Sequence, residues 1–178
     1  MSAPGDGPAG EPGGLGWLNG LPEAEARRPL LACCSAGRWV DGVAAGRPFP
    51  SLTALIELSN KVVAGLAVAD LRAALDGHPR IGEAAGEHKH GDWSRREQAG
   101  VAGSDEAVRR GLADGNAAYE RRFGHIYLVC AAGRSGAELL AVLQARLGND
   151  AETEWGVVRA ELGKINALRL SKLAGGPG

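Results

Sequence analysis

Apolar residues recur at intervals of three and four along most of this chain. In "SLTALIELSNKVVAGL" the residues Leu52, Leu55, Ile56, Val62, Val63 and Leu66 form one stripe when wound at 3.6 residues per turn. Pro48 and Pro50 break the chain ahead of it, and Ser51 is placed as an N-cap. A further helical turn, "AVADLRAALDG", follows, with Gly77 where a C-terminal cap glycine belongs. In "SDEAVRRGLADGNAAYERRFG", Val108, Leu112, Tyr119 and Phe123 share a side. Ser104 reads as the cap there, and Asp105 and Glu106 suit the positive end of the helix dipole. "RSGAELLAVLQARLGND" opens with Ser135 and Glu138 in capping-box spacing. "AETEWGVVRAELGKINALRLSKL" predicts the last long helix, with Trp155, Val158, Leu162, Ile165 and Leu168 on one face. Nearer the start, "LGWLNGLPEAEARRPLLACC" predicts short helices broken by Pro22 and Pro29.

One stretch resists this reading. "GHIYLVCAAG" is short, apolar and partly β-branched, and by pattern alone it is a strand or a buried helical turn. No partner strand is evident and a lone strand cannot pair, so an irregular or helical buried segment is expected. The fold class is then all-α: a single compact domain of seven or eight helices over residues 15–174. Residues 1–14 read as a disordered Gly/Pro-rich tail and 175–178 as a frayed end.

Composition narrows the function. With 178 residues, 44% apolar residues and a net charge of -1, the chain fits one globular core. It offers no basic field for nucleic acid and no polybasic face for a membrane. Arg109/Arg110 and Arg121/Arg122 read as solvated helix faces. No signal-peptide pattern and no apolar run of about 20 residues is present, which suggests a cytoplasmic protein. Cys33, Cys34 and Cys130 have no common metal spacing and read as free thiols in a reducing compartment. His88 and His90 lie two apart in a charged, glycine-rich loop without further ligands, so solvated histidines and no metal are expected.

Two short motifs carry candidate chemistry. In "GHPRIGE", His78 follows a helix and precedes Pro79, which restricts its backbone to extended conformations. Either the motif only stops a helix, or it aims an imidazole able to move protons near neutral pH. In "WSRREQAG", Ser94 and Glu97 have capping-box spacing. The same segment puts Ser94, Glu97 and Gln98 at a helix start, where free N–H groups favour anions. A carboxylate near a histidine can orient the ring and favour its cation.

In order and spacing, "HPRIGE", "WSRREQAG", "NAAYERRFGHIYLVCAAGRS", "RLGND…E" and "ELGKINALRL" resemble the OHCU decarboxylase family, in its bacterial and plant pattern rather than the animal one. These enzymes act on 2-oxo-4-hydroxy-4-carboxy-5-ureidoimidazoline, a urate breakdown product, and form (S)-allantoin. The resemblance spans Leu15 to Leu173. It implies an all-helical homodimer without metal or organic cofactor, acting on a small molecule. By the same resemblance the catalytic histidine falls on His78 and a substrate-binding glutamate on Glu97; the chemistry adds the expectation that Glu97 is a catalytic partner that orients His78. Substrate-binding positions fall on Pro79, Ser94, Gln98 and the run Tyr127, Leu128, Val129, Cys130, Ala131. Arg134 and Arg169 are two candidates for the substrate carboxylate. The chain departs from the family pattern in "EAAGEHKHGD", in "ACCSAGRW" and at His125, which reads as a packed or surface residue rather than a second imidazole. Two other classes compete: a ureide hydrolase, which the absence of GxSxG and of a metal cluster disfavours, and a non-catalytic helical binding module.

Overall fold

Ser51, Asp105, Ser135 and Asp150 each accept a hydrogen bond from the backbone N–H three residues on, and a helix starts at each. These and the other helices come from a computed structural model, which describes residues 13–83 and 95–175. In chain order they are α1 (Leu15–Gly20), α2 (Glu23–Cys33), α3 (Gly37–Ala44), α4 (Leu52–Ala64), α5 (Val68–Leu75), α6 (Ala99–Ala102), α7 (Glu106–Phe123), α8 (Gly136–Arg146) and α9 (Ala151–Ala174). One further helical turn covers 95–97, and no strand occurs among the described residues. The fold is all-α, as the periodicity predicts, with more and shorter helices than the seven or eight expected. Of the expected tail and frayed end, only residues 13, 14 and 175 are described, and Gly14 N–H already donates to the Leu173 carbonyl at 3.0 Å.

Several local expectations are corrected. Pro29 does not break a helix but sits inside α2, which is held by its buried residues Ala26, Leu30 and Cys33. Asp105, not Ser104, caps α7, because its carboxylate reaches Val108 N–H at 2.8 Å. Gly77 is not a left-handed cap. Helix α5 closes at Asp76 in right-handed geometry, whereas Gly124, with φ of 70°, is the left-handed cap of α7. The Ser135–Glu138 capping box forms as expected, and Arg109, Arg110, Arg121 and Arg122 lie on exposed faces.

Two hydrophobic clusters organise the chain. The first gathers α1–α5 on one side of α9, with Trp39, Leu55, Leu71, Val158 and Leu162 at its centre. The buried Trp39 indole donates to Ser59 Oγ at 3.1 Å. The second lies between α7 and α8 and contains Leu112, Tyr119, Leu139 and Leu143. Residues 126–131 run between the two. Tyr127, Val129 and Ala131 enter the second cluster, while Ile126, Leu128 and Cys130 pack on the first. That period of two marks an extended backbone. The segment is thus irregular, as expected from the sequence: a single extended stretch that pairs with no other.

Helix α6 meets the start of α8 so closely that a Cβ on Gly100 would stand 2.1 Å from the Arg134 carbonyl oxygen. Backbone cannot yield as a side chain can. Gly100→Ala should therefore cost about 1–3 kcal/mol of stability, as overpacked sites do. Thermal denaturation measures it, and an unchanged melting temperature would mean that α6 sits elsewhere.

Candidate active site

The site begins where α5 runs out of partners. The last carbonyls of a helix lack intrahelical donors. Here the Ala74 carbonyl meets His78 Nδ1 at 2.9 Å. A carbonyl only accepts, so Nδ1 carries the proton, and Nε2 is the basic nitrogen of the neutral ring. Pro79 then carries the chain away in extended form. The loop beyond is braced at three successive residues. Arg80 grips Glu120 of α7 through two bonds of 2.5 and 2.9 Å. The Ile81 carbonyl accepts from Asn116 Nδ2 at 2.8 Å. Gly82, with φ of 88°, gives its N–H to Gln98 Oε1 at 3.0 Å. "GHPRIGE" is therefore a helix stop whose imidazole is also fixed in direction.

Glu97 lies buried opposite this loop and forms a bidentate ion pair with Arg169 of α9. Nε–Oε1 and Nη2–Oε2 are both 2.9 Å. Arg169 is 0% exposed, and its Nη1 donates to the Cys33 carbonyl at 3.0 Å. This corrects the expected division of labour. The acceptor that orients His78 at Nδ1 is the Ala74 carbonyl, while both Glu97 oxygens are held by Arg169. Gln98 likewise spends its carboxamide on the loop backbone, at Gly82 N–H and more loosely at the Arg80 carbonyl.

His78, Pro79, Glu97, Gln98, Tyr127, Leu128, Val129 and Ala131 line one small cavity, with Ile81 and Ile165. Eight of the positions expected from the sequence thus share a wall. The cavity is only about 20 Å³, room for about one water. Cys130, Arg134 and Arg169 do not line it. Cys130 turns its side chain to the other cluster, Arg134 is half-buried beside the start of α8, and Arg169 stands behind Glu97. Ser94 lies outside the described residues, as do His88 and His90.

The extended segment is held from one edge by charged side chains. Arg146 Nη1 donates to the Leu128 carbonyl at 2.7 Å, and Glu161 Oε2 accepts from Cys130 N–H at 2.8 Å. Arg146 is anchored by Glu154, through Nε at 2.8 Å and Nη2 at 2.5 Å. Tyr119 donates its hydroxyl to the same carboxylate, and Asn149 Nδ2 reaches the other oxygen at 2.8 Å. Arg146 also stacks over the Tyr127 ring at 4.9 Å. Sequence reading missed Arg146, Glu154 and Glu161 as supports of the site. The available signal was polar residues at core-facing positions of the last two helices.

His125 is a packed residue, not a second imidazole of this cavity. Its ring lies 4.2 Å from that of Trp155, and its Nδ1 pairs with the Ile126 carbonyl at 3.0 Å. Burial pulls its pKa below the ordinary value, against the pull of that carbonyl, and nearby Arg72 lowers it further. It borders a wider open cleft of about 630 Å³, between Arg72, Arg80 and Glu120, that meets His78 from the other side. Burial disfavours the reactive thiolate form of all three cysteines: it pushes Cys33 up to about 12 and raises Cys34 and Cys130. Among the described residues no three His, Cys, Asp or Glu side chains converge on a metal-sized site, and no single helix is long and apolar enough to cross a membrane.

An all-helical body thus holds an imidazole, an arginine-paired carboxylate and an extended backbone around one cavity. Residues 19–171 match the family model for OHCU decarboxylase, and the chain belongs to that family, whose enzyme class is carboxy-lyase. It is 28% identical over 145 residues to the uric acid degradation bifunctional protein TTL of Arabidopsis thaliana. That match covers 79% of this chain and 45% of the plant protein, so the chain spans less than half the length of that relative. A crystal structure of OHCU decarboxylase in the presence of (S)-allantoin superposes with a TM-score of 0.69 at 26% identity, over 79% of this chain and 93% of that one. A structure of (S)-allantoin synthase shares the fold with a TM-score of 0.67 at 16% identity, over 88% of this chain and 52% of that one.

Proposed function

We propose that this chain decarboxylates 2-oxo-4-hydroxy-4-carboxy-5-ureidoimidazoline to (S)-allantoin without a cofactor. The observation that carries the reading is the convergence of His78, Glu97 and the 127–131 segment on one cavity, in a chain of this family. Loss of carbon dioxide breaks a C–C bond and leaves an electron pair. The adjacent ring C=N bond takes that pair: a C=C bond forms and the ring nitrogen gains a proton. The product of this step is an enol. His78 Nε2 takes the enol proton and returns one to the neighbouring carbon on a single face, which sets the enantiomer. Glu97, fixed in direction by Arg169, accepts N–H groups of the ring or ureido arm. Arg169 acts on substrate through Glu97, Pro79 completes the binding wall, and Ser94 is a substrate-binding residue by the family resemblance alone. A ureidoimidazoline exceeds the volume of the cavity, so binding requires the walls to part. The free thiols support a cytoplasmic setting, and a homodimer follows from the family resemblance.

Product analysis separates this from hydrolysis. Substrate formed in situ from urate should release one carbon dioxide per allantoin. Ammonia or a ring-opened acid without carbon dioxide would contradict the reading. Glu97→Gln keeps the shape but removes the charge facing Arg169. It should lower kcat/KM by roughly 10- to 100-fold, the range of one or two charge-assisted hydrogen bonds. Wild-type kinetics in that variant would leave Glu97 a structural role only.

A further inference from the structure

We propose that Glu161 is a positioning residue for this reaction: its carboxylate holds one edge of the extended 126–131 segment, so that the Val129 and Ala131 amides face the substrate. The inference rests on the reading of this segment as a substrate-binding wall. In an extended chain the N–H and C=O groups of successive residues point to opposite edges, so residues two apart share an edge. The Leu128 carbonyl and the Cys130 N–H belong to one edge. A second strand would satisfy both. Here Arg146 takes the first at 2.7 Å and Glu161 the second at 2.8 Å. The N–H groups of Val129 and Ala131 are thereby directed to the opposite edge, and both residues line the cavity.

The carboxylate is suited to this task. Glu161 is 7% exposed, and burial alone would favour its neutral form. Lys164, three residues on, donates to Oε1 at 2.6 Å, and with the Cys130 amide it holds the carboxyl below the usual range. Glu161 therefore stays an anion that only accepts. Its place on α9 is also in register with the site. Glu161, Ile165 and Arg169 follow at intervals of four, so one helix face carries the clamp, a cavity wall and the counter-ion of Glu97.

Two substitutions test the role. Glu161→Gln keeps an oxygen for the Cys130 amide, and Glu161→Met fills the volume without one. Hydrogen exchange of the Cys130 amide should accelerate in Glu161→Met and stay near wild type in Glu161→Gln. With substrate, Glu161→Met should raise KM by about tenfold or more, the scale of a lost charge-assisted hydrogen bond, and Glu161→Gln should restore most of it. A merely structural residue would instead lower kcat with the folded fraction and leave KM unchanged. Unchanged exchange in Glu161→Met overturns the clamp. Altered exchange with an unchanged KM overturns the positioning role. A wild-type protein inactive on this substrate defeats the functional reading and the positioning role, and the exchange data still decide whether the clamp exists.

Discussion

His78→Ala leaves a folded protein whose enzyme-dependent turnover falls by roughly 100- to 10,000-fold, the contribution of a placed proton-transfer group. The loop does not need the ring to keep its shape. Arg80 is tied to Glu120, Ile81 to Asn116 and Gly82 to Gln98, all independently of the imidazole. What alanine removes is the basic Nε2, aimed by the Nδ1–Ala74 contact. Circular dichroism reports folding, and the steady-state rate reports the loss. A variant within a fewfold of wild type would mean that the imidazole only closes α5.

Arg146→Met has the largest expected effect on stability. Arg146 is 5% exposed and Glu154 0%, and the pair sits among Tyr119, Tyr127 and Asn149. Two buried charges that satisfy each other contribute little net stability, but removing one leaves the other uncompensated at about 3–5 kcal/mol. Total stabilities are about 5–15 kcal/mol, so the variant loses a large share of its margin. The Leu128 carbonyl loses its donor as well, so activity falls with stability. Urea denaturation measures the loss. Adding Glu154→Leu to Arg146→Met should recover part of it, because the stranded carboxylate goes too. A single variant of wild-type stability would contradict the buried network.

Much of this architecture was legible because local chemistry governs helices. Ser51 and the Ser135–Glu138 box act where the spacing placed them, and the apolar stripes of α4 and α9 face the core except at Ile56 and Leu168, which are half-buried and outside both clusters. The misses have local causes. Ser104 and Asp105 are adjacent and both are good caps, so only backbone direction chose between them. Pro29 read as a break, yet packing of Leu30 and Cys33 outweighs its lost N–H. In the site, resemblance brought His78, Pro79, Glu97, Gln98 and most of 127–131 to one cavity. What holds them was not legible. Arg169 meets Glu97 across 72 positions, and Arg146 meets Leu128 across 18. Such pairings belong to the tertiary fold, and no periodicity encodes them. The run "IYLVCA" was ambiguous for a related reason. A lone extended segment is stable only with partners for its edge, and those partners are charged side chains distant in sequence.

The most direct test follows the allantoin circular-dichroism band while urate oxidase and hydroxyisourate hydrolase generate the substrate, with wild-type protein, with His78→Ala and with neither. The expected result is prompt growth of the (S)-allantoin signal with wild type alone. A slow, racemic decay unaffected by the wild-type protein would contradict the assignment.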